Sequence, residues 1–133
     1  MFVEIKNDFG EMDMLSSKIS DFCREQNISD EKHNNIALIV DELVTNVMSY
    51  AYPDGGEHTF SLKIEKCDNR VCMCLTDGGI PFNPLSLPNP DLESSLDERP
   101  VGGLGISLVR QLSEAVEYAR VDDKNQLSIK VLI

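Results

Sequence analysis

The sequence from residue 36 to residue 47 reads Ile-Ala-Leu-Ile-Val-Asp-Glu-Leu-Val-Thr-Asn-Val, and this stretch decides the fold. Its apolar residues recur every three or four positions, which is the spacing of one buried face of an α-helix. These residues are Ile36, Ile39, Val40, Leu43, Val44 and Val47. The pattern predicts a long helix from about Glu31 to Ala51, which is ended by Pro53-Asp54-Gly55-Gly56.

Two polar side chains on this helix indicate chemistry. Glu42 and Asn46 are four residues apart, so on a helix they lie about 6 Å apart along the axis and face nearly the same way. Asn46 could give Mg²⁺ a hard oxygen ligand, and Glu42 could accept a proton from an attacking hydroxyl or water. The alternative is an ordinary solvated helix face, which is the more common setting for a single Glu/Asn pair. Asp41 lies about 100° further around the helix and is expected at the surface.

The segments on either side of this helix predict a two-layer α+β fold. Strands are predicted near residues 2–5, at 60–64 and 71–75 around an Asp68-Asn69 turn, and at 118–121 and 127–133 around a turn at 122–125. Helices are predicted from Met12 to Phe22 and from Leu104 to about Ala115. We expect an α/β sandwich with a mixed, mostly antiparallel sheet and the helices on one face, as one domain over residues 1–133.

A second motif, Asp77-Gly78-Gly79-Ile80-Pro81-Phe82, follows an apolar strand. A carboxylate that leaves a buried strand is costly unless it has a partner, and the exocyclic amine of adenine is one such donor. Gly79 would let a flat ring approach the backbone, and Phe82 would add apolar contact. Asp-Gly-Gly taken alone is also an ordinary turn signal.

A third motif, Gly102-Gly103-Leu104-Gly105, precedes the apolar start of a predicted helix. Backbone amides at a helix N-terminus are well placed to bind phosphate oxygens. The motif is not the Walker pattern, because no Lys-Ser/Thr pair follows, and it does not follow a strand as a dinucleotide fingerprint would. The alternative is a glycine-rich turn from loop to helix.

Composition limits the classes of partner. A net charge of −11 with 12 basic residues argues against direct nucleic-acid binding, whereas backbone amides and a metal can hold the phosphates of ATP without surface charge. No leader pattern or run of about 20 apolar residues is visible, so we expect a cytoplasmic protein with no membrane partner. The four cysteines, Cys23, Cys67, Cys72 and Cys74, are expected to be small buried hydrophobes in a reducing compartment.

The order and spacing of the three motifs resemble those of the Bergerat-fold ATPases, the superfamily of gyrase, heat-shock chaperone, histidine-kinase and mismatch-repair nucleotide domains. Within it the chain looks most like the anti-sigma factor serine kinases. The segments that match that branch are residues 42–46 followed by Ala51-Tyr52, residues 77–84, and residues 102–109.

The resemblance implies a role for each motif. Glu42 would be the catalytic base, Asn46 the Mg²⁺ ligand, and Asp77 the acid that recognises adenine, with Gly79 beside it. The implied ATP contacts also include Phe82, Arg99, Gly102, Gly103, Leu104 and Gly105, with residues 85–101 as a lid over the nucleotide. The chain departs from its relatives at Tyr50, where they commonly carry His or Lys near the phosphates. A tyrosine hydroxyl can donate a hydrogen bond but brings no positive charge.

The implied function is that of an anti-sigma regulatory factor with Mg²⁺-dependent protein-serine/threonine kinase activity. It would phosphorylate a small anti-sigma-factor antagonist, bind a sigma factor, and form a homodimer. Two alternatives stay open. One is a nucleotide-dependent binding module with negligible turnover, and the other is a catalytic domain that serves a separate His-bearing partner chain.

Overall fold

The computed structural model describes residues 1–86 and 103–133. Two short 3₁₀ turns, at Phe9–Glu11 and Pro84–Ser86, and a π-helical turn at Val47–Ala51 accompany the main elements. The main elements, in chain order, are β1 (Phe2–Lys6), α1 (Met12–Glu25), α2 (Asp30–Asn46), β2 (Thr59–Cys67), β3 (Arg70–Asp77), α3 (Gly103–Leu112), β4 (Ala115–Val121) and β5 (Lys124–Leu132).

The strands form a five-stranded sheet in the order β1-β2-β3-β5-β4. Each pair of neighbouring strands in the described part of the chain runs antiparallel, so the predicted two-layer α+β fold is confirmed and its sheet is antiparallel throughout that part. Burial alternates along the strands, as expected when one face of a sheet is covered by helices. On that face lie Val3, Ile5, Phe60, Leu62, Ile64, Val71, Met73, Leu75, Leu127, Ile129 and Val131.

The apolar stripe predicted for α2 forms the centre of the helix layer, and all six of its residues are buried. The helix begins with Ser29 as its N-cap, whose hydroxyl accepts a hydrogen bond from the Lys32 amide. It ends earlier as a regular α-helix than predicted, because Val47–Ala51 form a wider π-helical turn. The carbonyl of Ala51, at the end of that turn, accepts a hydrogen bond of 2.9 Å from the Ile80 amide, so this turn is tied to the loop after β3.

The boundary between α3 and β4 also differs from the prediction. The helix ends at Leu112 rather than near Ala115, and the strand begins at Ala115 rather than at Tyr118. The Glu114 amide donates to the Lys130 carbonyl at 2.8 Å, which draws this segment into the sheet three residues early. This long-range backbone pairing overrides the local helical preference that the sequence periodicity indicates.

The hairpin between β4 and β5 is tighter than predicted. Asp122 and Asp123 have φ values of 52° and 61°, and Val121 pairs directly with Lys124. Two central residues with positive φ form the type I′ turn that matches strand twist, and Asp tolerates this conformation. The β5 strand therefore begins at Lys124 and includes Asn125, which the sequence pattern had placed in the turn.

The cysteine prediction is correct only for Cys23, which is buried. Cys67 is exposed, and Cys72 and Cys74 are half-buried on the face of β3 opposite the helices. Alternation along β3 places Cys72 and Cys74 on the same side of the strand. They are not core residues because no layer of the described structure covers that face. In the described part of the chain, no helix has the length and apolar character needed to cross a bilayer.

Candidate functional site

A cavity lies where the end of α2 faces the end of β3 and the start of β5. Polar side chains interrupt the buried pattern of each of these three elements: Asn46 on α2, Asp77 on β3 and Asn125 on β5. The cavity is lined by Leu43, Asn46, Val47, Leu75, Asp77, Phe82, Pro84, Tyr118, Asn125 and Leu127. Polar groups that converge in a mostly apolar pocket are typical of small-molecule sites.

Asn46 is the last residue of α2 and only 3% exposed. Its side-chain nitrogen Nδ2 has no hydrogen-bond partner within residues 1–86 and 103–133. A buried amide without a partner is costly, so its presence at a cavity wall indicates a site that a ligand completes. The amide oxygen is also a hard ligand of the kind that Mg²⁺ accepts, so the side chain fits a metal–nucleotide site.

Glu42 lies one helical turn before Asn46 and is half-buried. The part of the chain that the structure describes offers its carboxylate no hydrogen bond or ion pair, and Glu42 is not among the residues that line the cavity. The structure thus places Glu42 beside the cavity rather than in its wall. Its carboxylate is open to accept a proton from a group that approaches the mouth of the cavity.

Asp77 occupies the buried position that follows Leu75 in the alternation of β3, and it is 6% exposed. One carboxylate oxygen, Oδ1, accepts hydrogen bonds from the Gly79 amide and from Asn125 Nδ2, both at 2.9 Å. No described residue donates to the other oxygen, Oδ2. The carboxylate is therefore held in one orientation with an acceptor oxygen left for a ligand.

The packing around Gly79 gives a reason for glycine that was not predicted from the sequence. A Cβ atom at this position would lie 2.2 Å from the Ala51 carbonyl oxygen, which is far inside van der Waals contact. The Ile80 amide donates to the same carbonyl. Gly79 thus lets the loop after β3 pack directly on the backbone of the π-helical turn. This contact joins the loop that follows Asp77 to the turn that follows Asn46. The approach of a flat ring at Gly79 stays a prediction.

Phe82 lines the cavity as predicted and also contacts Tyr50. The two ring centroids are 5.2 Å apart with an interplanar angle of 32°. This aromatic pair is a second contact between the π-helical turn and the loop after β3. On the outer side of the same loop, Arg120 Nη1 donates to the Gly79 carbonyl at 2.9 Å.

Tyr52 lies at the end of the π-helical turn and is also buried close to the site. Burial raises the pKa of its phenol, and the nearby Asp77 carboxylate raises it further. Its hydroxyl therefore keeps its proton across the physiological pH range and can act as a hydrogen-bond donor. The ring of His58 stacks on Tyr52 with centroids 4.2 Å apart.

The glycine motif is only partly within the described structure. Gly103, Leu104 and Gly105 begin α3, so the predicted start of a helix at this motif is confirmed. This helix packs against α2 and buries Ile106 and Val109 in the core. Gly102, Arg99 and the predicted lid from residue 87 onward lie outside the described residues.

Asn125 and Tyr118 belong to the cavity but were not identified from the sequence. The run Asp122-Asp123-Lys124-Asn125 is typical of a turn, and that signal masked the strand. Period-two spacing of residue 125 with Leu127, Ile129 and Val131 is the signal that could have placed Asn125 on the core face.

Comparison with known proteins identifies the family. The family described as "Histidine kinase-like ATPase domain" matches residues 6–131. The chain belongs to this family. Membership implies the use of ATP, and it accounts for the antiparallel sheet with one helix layer and a cavity between them.

Two curated relatives of this ATPase family are similar in sequence. The serine/threonine-protein kinase BtrW of Bordetella bronchiseptica is 30% identical over 94 residues, which is 71% of this chain and 66% of that protein. The chain thus spans slightly less than two thirds of its length. The serine-protein kinase RsbW of Halalkalibacterium halodurans is 27% identical over 121 residues, which is 88% of this chain and 72% of that protein.

Solved structures share the fold at lower identity. A chain in the crystal structure of the SiaB-SiaC complex from Pseudomonas aeruginosa aligns with a TM-score of 0.60 and 13% identity, covering 98% of this chain and 89% of that one. The histidine kinase domain of the blue-light activated histidine kinase from Erythrobacter litoralis EL346 aligns with a TM-score of 0.54 and 15% identity, covering 92% and 59%. These likenesses concern the fold alone.

Proposed function

We propose that this ATPase-family protein is a Mg²⁺-dependent protein-serine/threonine kinase. The observation that carries the proposal is the arrangement of three polar residues. Asn46 and Asp77 are buried in the walls of one cavity, and Glu42 lies one turn of α2 away at its edge. The two kinases similar in sequence support the assignment to serine/threonine chemistry.

Each residue has a defined task in this proposal. Asp77 Oδ2 accepts a hydrogen bond from the exocyclic amine of adenine, and Phe82 contacts the ring. The amides of Gly102, Gly103, Leu104 and Gly105 bind phosphate oxygens at the start of α3. Arg99 contacts the γ-phosphate, and residues 85–101 form a lid that excludes water.

The proposed metal ligand set is small. In the described part of the chain, no group of three or more His, Cys, Asp or Glu side chains could hold a metal ion. Mg²⁺ is commonly held by one or two protein ligands together with substrate phosphates, so Asn46 is sufficient as a protein ligand beside ATP. When bound, the ion would neutralise charge that develops on the phosphates during transfer.

Glu42 acts on the acceptor. Its carboxylate takes the proton of a Ser or Thr hydroxyl as the hydroxyl oxygen bonds to the γ-phosphorus and the bond from that phosphorus to the ADP oxygen breaks. The acceptor in this proposal is a small anti-sigma-factor antagonist in a partner-switching pathway. Phosphorylation adds about two negative charges and weakens its binding, which frees the kinase to sequester a sigma factor. We further propose that residues 1–133 fold as one domain, that this domain is cytoplasmic, and that the protein acts as a homodimer.

The test is transfer of labelled phosphate from ATP to a candidate antagonist. Glu42→Gln is expected to lower the transfer rate at least 100-fold while ATP affinity changes less than about threefold, since general-base catalysis contributes on the order of 10² to 10⁴. Asp41→Asn is the matched control, because Asp41 is the exposed neighbouring acid. No transfer by the wild-type protein to any antagonist, or equal transfer by Glu42→Gln, would contradict the proposal.

A second candidate function is a nucleotide-dependent binding module with negligible turnover. It is favoured by one observation, namely that Glu42 lies outside the residues that line the cavity. Measuring ATP affinity beside the transfer rate separates the two functions. Tight ATP binding with antagonist capture but no transfer would support the module.

A further inference from the structure

Asn125 is the most completely hydrogen-bonded side chain at the site. It is 5% exposed and pairs directly with Asp77 in the register of β5 and β3. Its Nδ2 donates to Asp77 Oδ1 at 2.9 Å and to the Ile80 carbonyl at 2.7 Å. Its Oδ1 accepts from the Phe82 amide at 3.2 Å and from the Tyr118 hydroxyl at 2.5 Å. Every donor and acceptor position of the amide is therefore used.

The orientation of this amide follows from its partners. The Phe82 backbone N–H can only donate, so it requires the amide oxygen, and the Ile80 carbonyl can only accept, so it requires the amide nitrogen. The nitrogen is thereby directed at Asp77 as a donor. The Tyr118 hydroxyl, on the neighbouring strand β4, reinforces this orientation from the other side of the amide.

This network determines which oxygen of Asp77 meets a ligand. Oδ1 receives the Gly79 amide and Asn125 Nδ2, which leaves Oδ2 as the acceptor without a described protein partner. We propose that Asn125, oriented by Tyr118, is a positioning residue that fixes the Asp77 carboxylate and thereby makes the site selective for a base with an exocyclic amine. This inference rests on the proposed nucleotide site.

The selectivity follows from hydrogen-bond chemistry. The 6-amino group of adenine donates to a fixed carboxylate oxygen, whereas guanine presents a carbonyl oxygen at the same place and would set two acceptors against each other. Purine riboside has only hydrogen there. A carboxylate that can rotate or hydrate loses part of its preference for adenine, because it is no longer preorganised for the amine.

The experiment measures the dissociation constants of ATP and purine riboside triphosphate by titration calorimetry. The wild-type protein is expected to prefer ATP at least tenfold, the size of a hydrogen bond to a charged group. Asn125→Ser should lose most of this preference, with ATP affinity falling about tenfold and purine riboside triphosphate affinity changing less than about twofold. Tyr118→Phe should lower the preference for ATP over purine riboside triphosphate about threefold, because the Asn125 amide keeps its other three partners.

The matched control is Asn69→Ser in the turn between β2 and β3. Asn69 accepts a hydrogen bond from Arg70 at the opposite end of β3 from Asp77, so both dissociation constants should stay at their wild-type values.

Three outcomes would contradict the inference. Equally weaker binding of both nucleotides by Asn125→Ser and Tyr118→Phe would overturn it, because such a result indicates a purely structural role. If Asn125→Ser does not fold, an unchanged preference in Tyr118→Phe overturns it. Wild-type protein that binds neither nucleotide would overturn the proposed function together with this inference.

Discussion

At the residue scale, the contact between Gly79 and Ala51 joins the loop after β3 to the π-helical turn after α2, so it connects the two polar walls of the cavity. Gly79→Ala would place a methyl group 2.2 Å from a backbone carbonyl that belongs to the π-helical turn, and backbone cannot yield as a side chain can. We expect a loss of about 1–3 kcal/mol in the free energy of unfolding, measured by urea denaturation, together with weaker ATP binding.

Gly78→Ala is the matched control for this substitution. A Cβ at Gly78 would meet no atom within 4 Å, so its free energy of unfolding should change by less than about 0.5 kcal/mol. Equal losses in the two variants would show that the packing of the loop on the π-helical turn is not what requires glycine.

Asp77 gives a second prediction at the residue scale. Asp77→Asn keeps the shape of the side chain but removes its charge and one acceptor, so ATP affinity should fall at least tenfold. The variant should remain folded, which far-ultraviolet circular dichroism can check. ATP affinity equal to that of the wild-type protein would mean that Asp77 does not bind adenine.

The residues of the site differ in how readily they can be identified from the sequence. Asn46 and Asp77 interrupt apolar patterns, so their burial and their location at the ends of α2 and β3 could be predicted. Asn125 was missed, because the run Asp122-Asp123-Lys124-Asn125 is typical of a turn, and that signal outweighed the period-two spacing of residue 125 with the buried residues of β5. A role for glycine at residue 79 was predicted, but its packing against Ala51 was not, because that contact depends on the path of a distant backbone segment.

At the scale of elements, the Arg70–Glu114 ion pair joins the start of β3 to the connection between α3 and β4. Hydrogen bonding to Arg70 holds the pKa of Glu114 below its ordinary value. A lowered pKa in the folded state means that the pair contributes stability above the unfolded pKa of Glu, and that this contribution is lost as pH falls through the folded-state value.

Arg70→Gln is expected to lower the free energy of unfolding relative to the wild-type protein by an amount that depends on pH. The destabilisation caused by Arg70→Gln should be larger at pH 7 than at pH 3, because lowering the pH towards the folded-state pKa of Glu114 removes the charge that pairs with Arg70. Urea denaturation at the two pH values measures it. Arg24→Gln, which removes an exposed ion pair with Asp21 within α1, is the control for the loss of a surface arginine at the same two pH values. The same destabilisation by Arg70→Gln at both pH values would contradict this account.

Sequence patterns predict the helices of this fold better than they predict where each helix ends. The six-residue apolar stripe predicted α2 correctly, because helical spacing and burial agree along it. The end of α3 was misplaced by three residues, since the Glu114 amide pairs with Lys130 across the sheet. The π-helical turn was likewise not predicted. The Ala51 carbonyl at its end accepts a hydrogen bond from the Ile80 amide, a tertiary contact that helical periodicity does not reveal. Such turns occur often at functional sites.

At the scale of the whole molecule, the apolar core and the polar residues of the candidate site lie in different parts of the fold. The sheet and the buried faces of α1 and α2 form one apolar core, and the polar residues of the site collect where α2, β3 and β5 end or begin. The net charge of −11 does not oppose nucleotide binding at this place, because backbone amides and a metal ion can hold phosphate. We propose that this edge of the molecule binds ATP and passes its γ-phosphate to a protein.

The most direct measurement of that claim is a single-turnover transfer assay with labelled ATP and a candidate antagonist, run on wild-type protein, Glu42→Gln and Asp77→Asn. The account predicts phosphoserine or phosphothreonine on the antagonist with the wild-type protein. It also predicts bound but untransferred ATP with Glu42→Gln, and weak ATP binding with Asp77→Asn. Transfer by Glu42→Gln at the wild-type rate would contradict the account.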